Sequence, residues 1–377
     1  MALSISKYLR SRQLLQQCTS ERLLDTYSHA SNSAYLGIDP TAPSLHVGHL
    51  MGLFTLKKLK KFGGYRPIVL IGGATALIGD PSFKTNERPM LTEEFVSNNI
   101  AKIEQMLKPM LGEDTKFVNN RAWYDKDMTA LELLRDVGRH FRVSAMLSRE
   151  IVKARLDSGD GLSFTELSYQ LLQANDFKHL YQTQSCRVQL GGSDQWGNIL
   201  SGVEYIQRQQ QREKEVPVVG VTFPLVTVGG VKLGKTTGNV TCWLDRELTS
   251  DFDFYQYFVK MDDVDSQQML LKLTEETDNL DEARPQLRVA KLVTTFVRGA
   301  KAAERAEHLS QILFGGEPIT NAQQLLDSAE SAGVMAEKIS RQQFAELPVF
   351  ALAVKAGVCG SQSEAKRLIA NGALTVC

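Results

Sequence analysis

Residues 34–50 read AYLGIDPTAPSLHVGHL: an apolar run of strand length, the turn residues Asp39-Pro40-Thr41, and then the start of an apolar pattern that continues to Phe62 at helical spacing. Strand, turn and helix in that order form the first half of a βαβ unit. The alternation recurs. PIVLIGG (67–73), CRVQLGG (186–192) and PVVGVTFPLV (217–226) are further strand-length runs, and residues 163–180 carry a longer helical pattern. From Ala34 to about Leu244 the chain is therefore read as an α/β domain on a parallel sheet.

Beyond Asp245 the β pattern fades. FDFYQYFVKM, QQMLLKLT and QLRVAKLVTTFVRGAKAAERAEHLSQILF space their apolar residues by three and four, so this block is predicted to be helical. In the last stretch, LPVFALAVKAGVCGSQSEAKRLIANGALTV (347–376), Ser361 to Glu364 opens a helix and Asn371-Gly372 makes a turn before another strand. The chain ends at Cys377 inside that pattern, which reads as an incomplete module.

Composition narrows the class. The chain has 377 residues, 43% hydrophobic and 23% charged, as in ordinary globular proteins. No apolar run approaches the roughly 20 residues that span a bilayer. Lys+Arg and Asp+Glu both number 43, so global charge makes no case for nucleic acid and any such partner must be met by local patches. The five scattered cysteines form no CxxC pair, which argues against a disulfide framework and a zinc site and for a reducing compartment. Residues 1–20 hold Lys7, Arg10 and Arg12 and no acid, which suits a basic targeting helix and equally the first helix of the folded body.

Three stretches point to chemistry. His46 and His49 stand at i, i+3 around Gly48 where a helix begins, so both imidazoles share one side of a turn whose N–H groups and dipole suit an anion. VKLGKTTGN (231–239) sets Lys232 and Lys235 on a glycine-rich loop that could close over a polyphosphate; it lacks the GxxxxGK[ST] spacing of a Walker loop. GGATALIGDPSFKTNER (72–88) leads from a strand through Asp80 to Lys84 and Arg88.

Together these stretches resemble class I aminoacyl-tRNA synthetases, HVGH standing for the HIGH box and KLGKT for the KMSKS loop. YLGIDPTAPSLHVGHL, GGATALIGDPS, SFTELSYQLLQANDF, VQLGGSDQWGN and KLGKTTGN, in that order, are similar to tyrosyl-tRNA synthetases of the bacterial and mitochondrial type. The resemblance implies a Rossmann-like catalytic domain over 34–245 with a dimer-interface insertion, after an N-terminal helical segment (1–33). It implies an α-helical anticodon-arm-binding domain over 246–346 and the start of an S4-like α+β RNA-binding module over 347–377.

The resemblance also implies roles. Tyr35 and Asp176 would hold a tyrosine hydroxyl, and Asp80, Tyr169 and Gln173 its ammonium. Gln189 would lie near its carboxylate and the α-phosphate. Thr41, His46, Lys84, Arg88, Lys232, Lys235 and Thr236 would stabilise the transferring phosphates; Asp39, Gly48, His49, Gly192 and Asp194 would line the nucleotide side. The substrates implied are L-tyrosine, ATP with its Mg2+, and tRNA(Tyr), with no permanent cofactor and no metal held by the protein. Tyr169, Gln173 and Asp176 fall at i, i+4, i+7, so one helix face can present all three. Phe164 matches the family's dimer interface, and homodimerisation rests on the resemblance.

Tryptophanyl-tRNA synthetases share the boxes, but Tyr35 with Asp176 favours a reader of phenols. A second rival is an RNA-binding or splicing module on a retained synthetase scaffold. AWYDKD, HFRVSAMLSRE, CRVQLGG and KLGKTTGN look closer to mitochondrial members, which implies a mitochondrial matrix before a bacterial cytoplasm. Three departures stand out: Gly52, where many relatives carry a larger residue; KLGKT, which lacks the methionine and first serine of the general class I loop; and the incomplete tail, for which amino-acid activation is expected to persist and tRNA charging to weaken.

Overall fold

The computed structural model describes residues 3–80, 90–157, 159, 161–209, 217–225, 227–228, 231–232, 241–274, 284–315, 322–334 and 340–371. The chain forms two compact units, 1–304 and 305–377.

The first unit is built on a six-stranded sheet: β1 (Gln17–Cys18), β2 (Ser33–Ile38), β3 (Arg66–Ile71), β4 (Lys116–Asn119), β5 (Cys186–Gly192) and β6 (Val219–Phe223), in the order β1-β6-β5-β2-β3-β4. Every pairing is parallel except that of β1 with β6. Strands β2, β3 and β4 progress one way across the sheet while β5 and β6 progress the other. The direction therefore reverses between β2 and β5, and the crevice beyond the carboxyl ends of those strands is where such sheets bind ligands.

Hydrophobic patterning explains the layers. β2, β3 and β5 are buried almost throughout, as parallel strands covered on both faces must be. Phe177 and Leu180 of the helix Phe164–Gln184 join Ile68, Leu70, Cys186 and Val203 in one core cluster. Ser163 begins that helix, its Oγ accepting from Glu166 N–H at 3.2 Å while Glu166 Oε2 accepts from Ser163 N–H at 3.2 Å.

Three elements differ from the reading of the sequence. Residues 1–33 are not purely helical: Gln17–Cys18 pairs antiparallel with β6, and helix Ile5–Ser11 buries Ile5, Tyr8 and Leu9 while Ser6 bonds Asp25. Residues 5–18 thus pack in the folded body. Strand β4 had no sequence counterpart, because KFVN is too short to show a period. The long helical pattern after 285 is two helices, Pro285–Arg298 and Ala300–Phe314, broken at Gly299 with φ +88°.

The helical reading after Asp245 otherwise holds, with helices Asp251–Val259 and Asp263–Leu273 preceding that pair. In the second unit, Ala353, Cys359 and Ala365 form a small core packed by Phe350, Val354 and Leu368. Helix Gln362–Ala370 starts at Ser361, whose Oγ accepts from Glu364 N–H at 3.2 Å. The strand expected after Asn371-Gly372 lies outside the described residues. Among the described residues no helix is long and apolar enough to cross a membrane.

Candidate active site

A cavity of about 420 Å³ opens at the carboxyl ends of β2 and β5. It is lined by Tyr35, Asp80, Tyr169, Gln173, Asp176 and Gln189, and also by Asp39, Thr41, His46, Gly48, His49, Gly192 and Asp194. The sheet brings together residues about 150 positions apart in the chain: Tyr35 and Gln189 are register partners on adjacent parallel strands, so their side chains leave the same face. Helix Phe164–Gln184 supplies Tyr169, Gln173 and Asp176 from one face.

Burial sets the electrostatics of the inner part. Asp176 is 2% exposed and accepts from Asn120 Nδ2 at 3.0 Å and Trp123 Nε1 at 2.9 Å. Desolvation nevertheless dominates those bonds and pushes its carboxyl up to about 7. Burial, and then the nearby Asp176, raise the Tyr35 phenol far above its ordinary range, so it stays protonated. Tyr35 Oη, Gln173 Oε1 and Gln189 Oε1 are buried without a hydrogen-bond partner among the described residues. Buried polar groups are rarely left so, and a polar ligand in the cavity would satisfy them.

A chain of hydrogen bonds ties the polar lining together. Tyr169 Oη donates to Asp39 Oδ2 at 2.8 Å, Thr75 Oγ1 donates to Asp39 Oδ1 at 2.7 Å, and Asn120 Nδ2 reaches Thr75 Oγ1 at 3.2 Å as well as Asp176. Gln195 Nε2 donates to Asp80 Oδ2 at 2.8 Å. At Gly72 a Cβ would overlap both Asp39 Oδ1 and Thr75 Oγ1, so only glycine permits this approach.

Asn120, Trp123, Thr75 and Gln195 were missed by sequence reasoning. Thr75 and Gln195 lie inside quoted motifs but have no chemistry of their own. Asn120 and Trp123 follow the unrecognised β4, more than 50 residues from the carboxylate they hold.

His46 and His49 do share one turn. Val47–His49 is a 3₁₀ turn leading into helix Leu50–Gly63, and the two ring centroids are 4.2 Å apart. Their side chains cap the turn reciprocally: His46 Nδ1 accepts from Gly48 N–H at 3.0 Å and His49 Nδ1 from His46 N–H at 3.2 Å. The Gly48 bond leaves the His46 ring proton to Nε2, while His49 Nδ1 also lies 3.1 Å from His46 O. Burial lowers the His49 pKa, so that ring is neutral at pH 7.

The free N–H groups expected at this turn are not there. Val47 N–H donates to Cys242 O at 3.1 Å and His49 N–H to His46 O at 2.9 Å, in addition to the Gly48 bond. These three N–H groups therefore build no anion site at the turn.

Gly52 also lines the cavity, where a Cβ would stand 3.1 Å from Leu36 Cδ2 and 3.1 Å from Phe223 Cζ. A larger residue requires those neighbours to give way. Lys232 ends a small hairpin, Thr227–Val228 paired with Val231–Lys232, while Lys84, Arg88, Lys235 and Thr236 lie outside the described residues. Phe164, 69% exposed at the start of its helix, is not in the cavity.

Comparison with known proteins agrees with this geometry. The family model described as tRNA synthetases class I (W and Y) matches residues 27–315. Tyrosine–tRNA ligase 1 of Bacillus licheniformis is 38% identical over 388 residues, 98% of this chain and 89% of its own length. Tyrosine–tRNA ligase of Rhodopirellula baltica is 42% identical over 332 residues, 83% of this chain and 74% of its own.

Among solved structures, a C-terminally truncated mitochondrial tyrosyl-tRNA synthetase of Aspergillus nidulans superposes with a TM-score of 0.70 at 29% identity, covering 82% of this chain and 94% of its own. With the switch-point cavity, the twin-imidazole turn and a family match over most of its length, the chain belongs to the class I tRNA synthetases of the W and Y group.

Proposed function

We propose that this chain is a tyrosine–tRNA ligase: it joins L-tyrosine to ATP as tyrosyl-adenylate, releasing pyrophosphate, and passes the tyrosyl group to the 3′ end of tRNA(Tyr). The observation that carries this reading is the buried, unpartnered Tyr35 hydroxyl in the same cavity as buried Asp176, a donor–acceptor pair suited to a phenolic hydroxyl and wasted on an indole. The relatives named above support tyrosine over tryptophan.

In this reading Asp80, Tyr169 and Gln173 bind the ammonium of tyrosine and Gln189 faces its carboxylate. That carboxylate is already ionised. Its oxygen attacks the α-phosphorus, forming a P–O bond as the bond to the bridging oxygen of the β-phosphate breaks, so no general base is needed and positioning with electrostatics supplies the rate.

His46 and Thr41, with Lys84, Arg88, Lys232, Lys235 and Thr236, meet the transferring and leaving phosphates. Asp39, Gly48, His49, Gly192 and Asp194 hold the rest of the nucleotide. Mg2+ enters with ATP as part of the substrate and neutralises the pyrophosphate charge.

Residues 246–346, with the start of an S4-like module over 347–377, serve the tRNA. Two copies form the working unit, a reading supported by exposed apolar side chains between β4 and β5: Phe164, Leu131 and Val143. The mitochondrial matrix is the favoured compartment, with a bacterial cytoplasm as the alternative; fungal mitochondrial enzymes among the structural neighbours support the first and bacterial relatives the second.

Tyrosine-dependent ATP–pyrophosphate exchange tests the reading. Exchange with tyrosine and none with tryptophan is expected, and the reverse overturns it. His46→Ala is expected to lose exchange rate by roughly 100-fold while tyrosine affinity stays within about twofold, because the charge it meets grows towards the transition state. Equal loss of both contradicts the role given to His46.

A further inference from the structure

The turn that carries His46 is joined to the segment that follows residues 233–240. His46 and Trp243 pair as an antiparallel bridge, flanked by Val47 N–H to Cys242 O at 3.1 Å and Leu244 N–H to Leu45 O at 2.7 Å. Asp245 N–H donates to Ser44 Oγ at 3.1 Å. This pairing sets the Trp243 indole edge-on to the His46 imidazole, with centroids 6.3 Å apart and planes at 61°. His46 Nδ1 is engaged by Gly48 N–H, and the ring also packs against His49 and Trp243.

Trp243 is in turn held from the helical region. Arg298, the last residue of helix Pro285–Arg298, donates from Nη2 to Trp243 O at 3.2 Å and Thr249 O at 3.0 Å, and from Nη1 to Asp251 Oδ1 at 2.9 Å. Trp243 N–H donates to Thr249 Oγ1 at 3.0 Å, and the guanidinium lies 4.8 Å over the Phe254 ring. The Arg298 and Asp251 side chains are only 2% and 7% exposed. A shielded planar fork that reaches three acceptors locks a backbone position in a way a single ammonium cannot.

We infer that Trp243 is a positioning residue for His46, and that the buried Arg298–Asp251 pair holds Trp243 in place, so that helix Pro285–Arg298 sets the aim of the imidazole at the phosphates. The inference rests on the reading that His46 meets the triphosphate. Neither residue lines the cavity; each acts through geometry, where displacement of a reacting contact by about an ångström can lower a rate by roughly 100-fold.

The test is ATP–pyrophosphate exchange on the full chain, with tyrosine affinity by calorimetry, for Trp243→Ala, Trp243→Phe, Arg298→Lys, His46→Ala and the His46→Ala/Trp243→Ala double variant. Trp243→Ala is expected to lower kcat/KM for ATP by about tenfold while tyrosine affinity stays within about twofold. Trp243→Phe should restore most of the loss, and Arg298→Lys should reproduce it. In the His46→Ala background Trp243→Ala should add nothing, since the group it aims is gone.

If Trp243→Ala does not fold, Trp243→Leu, which fills the space without an aromatic edge, takes its place in the cycle. Exchange unchanged by Trp243→Ala or Trp243→Leu while His46→Ala is impaired overturns the inference. So does a loss that adds fully to that of His46→Ala, or one that falls equally on ATP and tyrosine and is not rescued by phenylalanine. His46→Ala with unaltered exchange overturns instead the phosphate-binding role of His46, and the inference with it.

Discussion

Asp176 is a carboxylate that the fold leaves near the edge of ionisation, with burial pushing it to about 7 against hydrogen bonding by Asn120, Trp123 and Tyr124 that pulls it down. To accept from a phenolic hydroxyl it must be ionised. Between pH 6 and 8, kcat/KM for tyrosine should therefore rise with pH through about 7 and level off, and a flat profile would contradict this. The same shift acts on stability. The folded chain keeps this proton up to about pH 7, whereas an unfolded chain releases it near about pH 4. This group's contribution to stability therefore falls as pH rises across that window and is constant above it. Asp176→Asn should remove that slope, as read from denaturation midpoints at pH 4.5 and 7.5. Tyr35→Phe deletes the other half of the pair and should reduce discrimination of tyrosine over phenylalanine by about tenfold, measured as a ratio of kcat/KM values.

At the scale of elements, the cavity is assembled from strand ends and one long helix. Thr75, at the start of a short helix after β3, bridges Asp39 and Asn120, and so connects the carboxylate that holds Tyr169 to the amide that holds Asp176. Thr75→Val keeps its shape but removes the hydroxyl and leaves buried Asn120 and half-buried Asp39 each short of a bond. A loss of about 1–3 kcal/mol in tyrosine binding is expected by calorimetry, and Thr75→Ser should recover most of it. The start of helix Phe164–Gln184 is a different case. Ser163 and Glu166 cap it outside the cavity, so Ser163→Ala should lower stability by about 1 kcal/mol in urea denaturation and leave tyrosine affinity unchanged.

Taken whole, the first unit places its cavity where strand progression reverses, so that β2 and β5 deliver Tyr35 and Gln189 side by side. Phe164, Leu131 and Val143 are each exposed and none lines the cavity; they lie in the stretch between β4 and β5 proposed above for the contact between two copies. Phe164→Asp should convert a dimer into a monomer in sedimentation measurements at micromolar protein while leaving the thermal midpoint of the folded unit within a few degrees. A wild-type chain that already sediments as a monomer would contradict the assignment.

Several features were legible in the residue order because they are local. Strand-length apolar runs before Asp39-Pro40 and at CRVQLGG, two histidines in one turn, and Tyr169, Gln173 and Asp176 on one helical face depend only on short-range periodicity and spacing. Features made by distant pairing were not legible. The antiparallel edge strand β1, the short β4 that delivers Asn120 and Trp123, and the capture of the Val47 N–H by Cys242 O all require contacts across long stretches of chain. The ionisation of Asp176 belongs with these. Its residue type was visible from the start, but its pKa depends on how much water the packed sheet and helices exclude, which is a property of the tertiary structure alone.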